Sequence, residues 1–341
     1  MGVVGVGSLG QHHARILSEL EGVRMVGIHD SDPARARTIG DRLDVPVHTT
    51  LDHLLAEADA VVVAVPTTHH ETVAKAAIDG GCGVLVEKPL APDVAAADRI
   101  LAAAREAEVV VQTGHSERFN PALVAAEPWL DQPLFVESHR MAPFTPRSTD
   151  VAVVLDLMIH DVDLVMALVG RPLREYAASG IPVLTPNLDI ANARLSFENG
   201  AVANLTASRV SLERMRKIRI FQRSGYLSLD LARGSGEFLR LKQELPALRD
   251  ERVSAVVPGS SKGGTAAADA LAPLDLGEIV ERIPLTGDDV EPLRRELENF
   301  RDAVLGRADP VVSGDAGRAA LSVALSIEER IENHVVDTRP A

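Results

Sequence analysis

The amino-acid sequence predicts an α/β fold: an N-terminal doubly wound parallel sheet followed by an α+β domain with an open, mainly antiparallel sheet. Three observations lead there. Short Val-rich runs at 3–6, 23–28, 60–65, 83–86 and 109–112 have the length and composition of strands buried on both faces. Amphipathic stretches at 9–20, 33–43, 69–80 and 93–107 alternate with them, and strand, helix, strand repetition implies right-handed crossovers. Beyond about residue 115 the alternation gives way to strand-length runs, and 341 residues exceed what one core usually serves.

The elements follow in order. Asp93 before "VAAADRILAAAREAE" supplies an N-cap to an Ala-rich helix. "LFVESHRM" reads as the first strand of the second domain, and 153–165 as a helix. Runs near 174–184, 189–197, 201–209, 215–222 and 226–231, separated by turn signals such as Glu198-Asn199-Gly200 and Ser224-Gly225, predict an antiparallel meander. Residues 246–275 are rich in Pro, Gly, Ser and Ala and predict a mobile loop. Helices follow at 290–305, with Leu293, Leu297, Phe300 and Val304 on one face, and at 316–332. The expected division is 1–115 and 116–341, with the last helices able to return to the first domain. The uncovered face of an antiparallel sheet suits a second copy, so a homodimer or homotetramer is expected.

Composition narrows the function. With 49 acidic and 35 basic residues the net charge is −14, which argues against nucleic acid or an anionic membrane surface as partner. The lone Cys82 excludes an internal disulfide and a cysteine-based zinc cluster, and no metal is expected. Apolar patterning begins at Gly2-Val3-Val4 without a basic leader, which predicts a cytoplasmic protein.

"VVGVGSLGQHHARIL" sets Gly5, Gly7 and Gly10 in a Gly-x-Gly-x-x-Gly pattern between a strand and a helix. Gly5 permits the tight turn, Gly7 the approach of a pyrophosphate past Ser8 and Leu9, and Gly10 close packing of helix on strand. Asp30 ends the second strand, where a dinucleotide-binding (Rossmann) fold needs an acid for the ribose 2′-hydroxyl; the bland alternative is a cap on the helix at 33–43. An acid there favours NAD over NADP, although Arg35 and Arg37 lie nearby. Pro66, Thr67 and His70 follow the third-strand run and are placed to face the cofactor, or else simply begin a helix. Glu87-Lys88-Pro89 ends another strand, which points Lys88 into the same crevice, where an ammonium stabilises a forming alkoxide. Its alternative is an exposed lysine paired to Glu87.

The helix at 153–165 is apolar nearly all round, with Leu155, Met158, Ile159, Val162, Met166 and Val169, yet it carries four ionisable groups. Asp156, His160 and Asp163 share one stripe, while Asp161 points away. Charges so placed are paired or belong to a site.

In order and spacing, the glycine loop, Pro66 with His70, Glu87-Lys88-Pro89 and Asp156-x-x-x-His160 resemble the glucose-fructose oxidoreductase/inositol dehydrogenase family, Gfo/Idh/MocA. The resemblance covers nearly the whole chain. It implies hydride transfer between NAD(P) and a sugar or cyclitol hydroxyl, with Lys88, Asp156 and His160 as the catalytic group. In that scheme His160 takes the hydroxyl proton, Asp156 orients the imidazole and favours its protonated form, and Lys88 stabilises the alkoxide; spacing alone does not decide between His160 and Lys88 as base. Asp163 is either a substrate ligand or a partner to one, and Asp161 an ion pair at the domain interface. "TGHSERFNPAL" is similar to the subgroup containing UDP-N-acetylglucosamine 3-dehydrogenases. That likeness implies oxidation of the 3-hydroxyl of that nucleotide sugar, with Arg118 and Asn120 on sugar or diphosphate oxygens and Arg140 and Arg147 supplying positive charge. The arginines equally suit ion pairs to Glu137 and Asp150. Alternatives are an inositol or free-sugar dehydrogenase, an NAD-retaining glycosidase, and a non-catalytic nucleotide sensor.

Overall fold

The computed structural model of the protein describes residues 1–145, 151–242 and 280–337. Its first sheet is built from the Val-rich runs: β1 (Gly2–Val4), β2 (Gly27–His29), β3 (Ala60–Val63), β4 (Gly83–Glu87) and β5 (Val111–Gly114). All are parallel, in the order β2-β1-β3-β4-β5, and every strand residue except His29 is buried. Helices α1 (Gly10–Glu19), α2 (Pro33–Leu43), α4 (His70–Asp79) and α5 (Val94–Glu106) lie where amphipathic spacing predicts them. Asp93 caps α5 by accepting from Ala96 N. An unexpected α3 (Leu51–Glu57) is capped by Thr50; two turns are too short to show a period.

Among the described residues the second sheet has eight strands: β6 (Phe135–Met141), β7 (Leu173–Ile181), β8 (Ile190–Phe197), β9 (Val202–Ser208), β10 (Met215–Gln222), β11 (Gly225–Asp230), β12 (Ser235–Leu241) and β13 (Val280–Thr286). Its order is β13-β12-β11-β10-β6-β9-β8-β7. The expected meander is corrected here: β6 enters between β9 and β10 and runs parallel to β9, while the other pairings are antiparallel. Alternate residues of β6, β8, β9 and β10 are buried, so one face of the sheet meets the helices. Against that face lie α6 (Pro121–Ala126) and α7 (Ile159–Val169), with Ile159, Val162, Leu205 and Ile218 in one core.

The continuous helix expected over 153–165 is interrupted. Val154–Met158 forms a π-helical turn in which Ile159 N reaches Val154 O, and only then does α7 begin. The widened turn removes Asp156 from the simple stripe shared with His160 and Asp163; such bulges frequently occur at functional sites.

Two C-terminal helices tie the sheets together. In α8 (Pro292–Val304), Leu293, Leu297 and Phe300 join the core formed by Val3, Ile16 and Leu85. Along α9 (Gly314–Asp337), Leu321 joins Val84 and Val86, whereas Ala324, Ile327 and Ile331 join the core under the second sheet. Gly317 is required there, since a Cβ would lie 2.0 Å from Thr113 Oγ1 on β5. Among the described residues no helix is long and apolar enough to cross a membrane. Arg147, Asp150 and the loop expected at 246–275 lie outside the described residues.

Candidate active site

The glycine loop opens a cavity of about 510 Å³ at the carboxyl ends of β1, β2 and β3. Gly5 has φ +85°, and a Cβ there would meet the Ala64 carbonyl at 2.7 Å; a Cβ on Gly10 would lie 1.9 Å from Gly5 O. These two positions hold the turn and seat α1 on the sheet. Gly7 differs: among the described residues nothing lies within 4 Å of its would-be Cβ, and with Ser8 and Leu9 it lines the cavity. Among the described residues no side chain caps α1; Gln11 N and His12 N donate to the Gly7 and Leu9 carbonyls, which leaves the Gly10 end of the helix to face an anion. An open approach over Gly7 and an uncapped helix terminus fit the pyrophosphate of a dinucleotide.

Asp30 lines the same cavity. It does not cap α2, because Asp32 does so by accepting from Ala34 N and Arg35 N. Asp30 accepts instead from Val6 N and Asp32 N, both at 2.8 Å, and Arg35 approaches at 3.3 Å. The carboxylate is thus held rigidly beside the loop. Pro66 also lines the cavity, and Thr67 next to it is half-buried. His70 is a correction. Its ring is buried between carbonyls, Nδ1 at 2.9 Å from Pro89 O and Nε2 at 3.0 Å from Val65 O, and burial lowers its pKa. It braces the two loops, and the neighbouring His69 lines the cavity instead.

Glu87 likewise holds the protein together. Its Oε1 lies 2.6 Å from His13 Nε2 on α1, and its Oε2 accepts from Lys88 N at 3.2 Å. Glu296 of α8 completes this buried cluster, with the three groups' ligand-capable atoms within 4.8 Å of one another. The 2.6 Å separation is that of a hydrogen bond. Burial, then the proximity of Glu87 and Asp163, raises the Glu296 pKa well above the ordinary carboxyl value and so favours its neutral form. His13 and Glu296 went unrecognised in the sequence, although His13 sits on the inward face of α1 with Ala14 and Leu17.

Lys88 crosses from the end of β4 to the π-helical turn. Its Nζ donates to the Asp156 carbonyl at 2.6 Å and lies 3.8 Å from the Asp156 carboxylate. Burial pulls the ammonium below its ordinary pKa, while Asp156 and Glu87 oppose that shift. Asp156 lines a second cavity of about 190 Å³. His160 follows one turn later, and its Nδ1 is buried without a partner among the described residues. Burial, followed by Lys88, Arg140, His115 and Arg216, lowers its pKa well below 6.5. This corrects the expected pairing: Asp156 makes no hydrogen bond to His160, and the surroundings favour a neutral imidazole. A neutral imidazole next to an ammonium can accept a proton from a hydroxyl. The buried His115 stands edge-on to it, 5.9 Å between ring centroids, a neighbour that its place in "TGHSERF" had not singled out.

The other expected substrate ligands have protein partners. Asp163 binds Arg118 through two bonds, at 2.6 and 3.1 Å. Asn120 caps α6 through Ala122 N and donates to Leu231 O. Arg140 is 4% exposed and donates to Asp161 at 2.9 and 3.0 Å and to Glu117 at 2.6 Å. Burial works against its charge, but the two carboxylates raise its pKa overall. It is a buried counter-ion of Asp161 and Glu117, not the positive charge for a nucleotide sugar that the resemblance implied. Arg216 was missed; it stands directly across from Arg140 in the β6/β10 register and in phase with inward-facing Ile218 and Ile220.

A glycine-loop cavity that fits a dinucleotide, with a lysine and a buried histidine beyond it, defines the class of dinucleotide-dependent oxidoreductases. Residues 1–115 match the family model described as "Oxidoreductase family, NAD-binding Rossmann fold", and residues 124–228 match the GFO/IDH/MocA C-terminal domain. The chain belongs to the GFO/IDH/MocA oxidoreductase family. It is 34% identical over 340 residues to UDP-N-acetylglucosamine 3-dehydrogenase of Acidithiobacillus ferrooxidans, covering 97% of this chain and 96% of that one. A solved structure of the latter superposes with a TM-score of 0.83 at 31% identity, covering 97% of both chains. Inositol 2-dehydrogenase of Acidothermus cellulolyticus is 36% identical over 191 residues, 52% of this chain and 55% of its own.

Proposed function

We propose that the protein is an NAD-dependent dehydrogenase that oxidises a secondary hydroxyl of a sugar, specifically the 3-hydroxyl of UDP-N-acetylglucosamine, to a ketone. The observation that carries this reading is the meeting of Lys88 with the π-helical turn, one turn before His160, in a chain similar along its whole length to a dehydrogenase of that substrate. The dinucleotide, when bound, supplies the hydride acceptor. His160, neutral at physiological pH, takes the hydroxyl proton as the carbon-bound hydrogen departs. Lys88, held by the Asp156 carbonyl, presents its ammonium to the forming alkoxide, and the Asp156 carboxylate keeps that ammonium charged. Gly7 and the α1 N-terminus hold the pyrophosphate, and Asp30 the adenosine ribose, where its charge disfavours a 2′-phosphate. That last point selects NAD over NADP.

Incubation of the purified protein with UDP-N-acetylglucosamine and NAD tests the reading. The expected result is NADH matched by a two-hydrogen mass loss from the sugar. An inositol dehydrogenase is the second reading, favoured by the 36% identity over about half of the chain; NADH formed from inositol and not from the nucleotide sugar selects it. A homodimer or homotetramer through the exposed sheet face, a cytoplasmic location and a division at residue 115 complete the proposal.

A further inference from the structure

Positive charge is concentrated beyond Asp156 in a chain whose net charge is −14. Arg140 and Arg216 are direct cross-strand partners, an arrangement that costs stability for like charges. Glu117 and Asp161 neutralise Arg140, and Glu117 reaches Arg216 only at 3.8 Å. Arg214 is exposed and has no carboxylate partner among the described residues. Burial pulls Arg216 below the ordinary arginine pKa, and Arg140 and Arg214 add to the shift despite Glu117. Among the described residues, Arg140, Arg214 and Arg216 therefore share two neutralising carboxylates, Glu117 and Asp161.

Arg214 and Arg216 are also shared by two cavities. One, of about 190 Å³, is lined by Asp156 and leads toward Lys88. The other, of about 480 Å³, is lined by Leu231, Gly234, Asp288 and Asp289. We propose that Arg214 and Arg216 form the subsite for the diphosphate of a nucleoside-diphosphate sugar, with the sugar in the smaller cavity and the nucleoside in the larger. The inference rests on the sugar-dehydrogenase reading and adds which residues select the nucleotide. A guanidinium fork matches phosphate oxygens in two-bond geometry, and a dianion relieves the repulsion between the arginines. Asp289, without a cationic partner among the described residues, accepts from nucleoside hydroxyl or N–H groups and repels phosphates, which sets the direction of binding. Arg140, saturated by its own carboxylates, is not part of the subsite.

Calorimetric titration of UDP and of uridine into the NAD-loaded protein tests this, using the parent, Arg214→Ala, Arg216→Ala and Arg214→Lys. Each alanine variant should lose about tenfold or more in UDP affinity, as expected for one charge-assisted contact, with uridine binding unchanged. Arg214→Lys should lose less than Arg214→Ala, since the ammonium keeps the charge but not the two-bond fork, and unchanged NAD affinity verifies the fold. UDP affinity within twofold of the parent in both alanine variants overturns the subsite, while parental oxidation of UDP-N-acetylglucosamine would leave the proposed function standing. A parent that oxidises only free sugar or inositol, yet loses UDP affinity in the variants, keeps the subsite and refutes the substrate. Failure of the parent to bind UDP at all overturns the subsite.

Discussion

Replacing Arg140 by Met removes the counter-ion of two buried carboxylates while conserving most of the side-chain volume. The Arg140 side chain is 5% exposed, and those of Asp161 and Glu117 are 3% and 10% exposed. Its three bonds share one guanidinium, so their energies do not add; the relevant quantity is the cost of breaking a buried pair, about 3–5 kcal/mol. Arg216, 3.8 Å from Glu117, recovers only part of that. Urea unfolding, with midpoint and slope both measured, should show Arg140→Met destabilised by about 3–5 kcal/mol. Combining it with Asp161→Asn and Glu117→Gln should return most of the loss, because the stranded charges are gone. A single-variant loss below about 1 kcal/mol, the range of an exposed ion pair, would refute the assignment of Arg140 as a buried counter-ion.

Lys88→Met should lower kcat about 10²–10³-fold, the range for removing one stabiliser of a developing oxyanion, with little change in NAD affinity measured by fluorescence titration. Since burial and cationic neighbours hold His160 neutral, the acidic fall in kcat should lie well below pH 6.5, and the alkaline fall from Lys88 should begin below the free-lysine value of 10.5. An acidic limb centred near about 6.5, the free imidazole value, contradicts this. Glu296 binds its proton more tightly folded than unfolded, so the parent loses stability as pH rises from the unfolded carboxyl value toward the folded one. Glu296→Gln removes that penalty, and its stability relative to the parent should increase between pH 5 and pH 8; a flat difference refutes it. Asp30→Ala should weaken NAD about tenfold and narrow the gap to NADP, whose 2′-phosphate Arg35 is placed to meet.

Local signals made the first domain legible. Gly5, Gly7 and Gly10, the Val-rich strands and the Asp93 cap each depend on near neighbours in sequence, and the parallel sheet follows from their alternation. The strand positions of β6 to β11 were also readable from alternation, but the pairing of β6 with β9 was not, because register between distant strands is set by packing rather than composition. β12, with Ser235, Gly236 and Glu237, lacks a strand's apolar pattern. At the candidate site the structure brings Lys88 to Asp156, residues the sequence had already singled out, while the π-helical turn that hands the Asp156 carbonyl to Lys88 was hidden by a helical period. Charges misled most. Arg140 was expected to offer its charge to a substrate until the fold brought Asp161 and Glu117 to it, and His70 to face the cofactor until Val65 and Pro89 closed over its ring. Arg216 left a signal that was passed over: an arginine in phase with inward-facing isoleucines on one strand.

The proposed oxidation at the Lys88 and His160 centre is a hydride transfer from one sugar carbon. Its most direct test is UDP-N-acetylglucosamine deuterated at carbon 3, incubated with the protein and NAD and followed by mass spectrometry of both products. Transfer of the deuterium to the reduced nicotinamide, together with its loss from the sugar, is the predicted result. Reduced nicotinamide formed while the sugar keeps its label at carbon 3 would contradict the account.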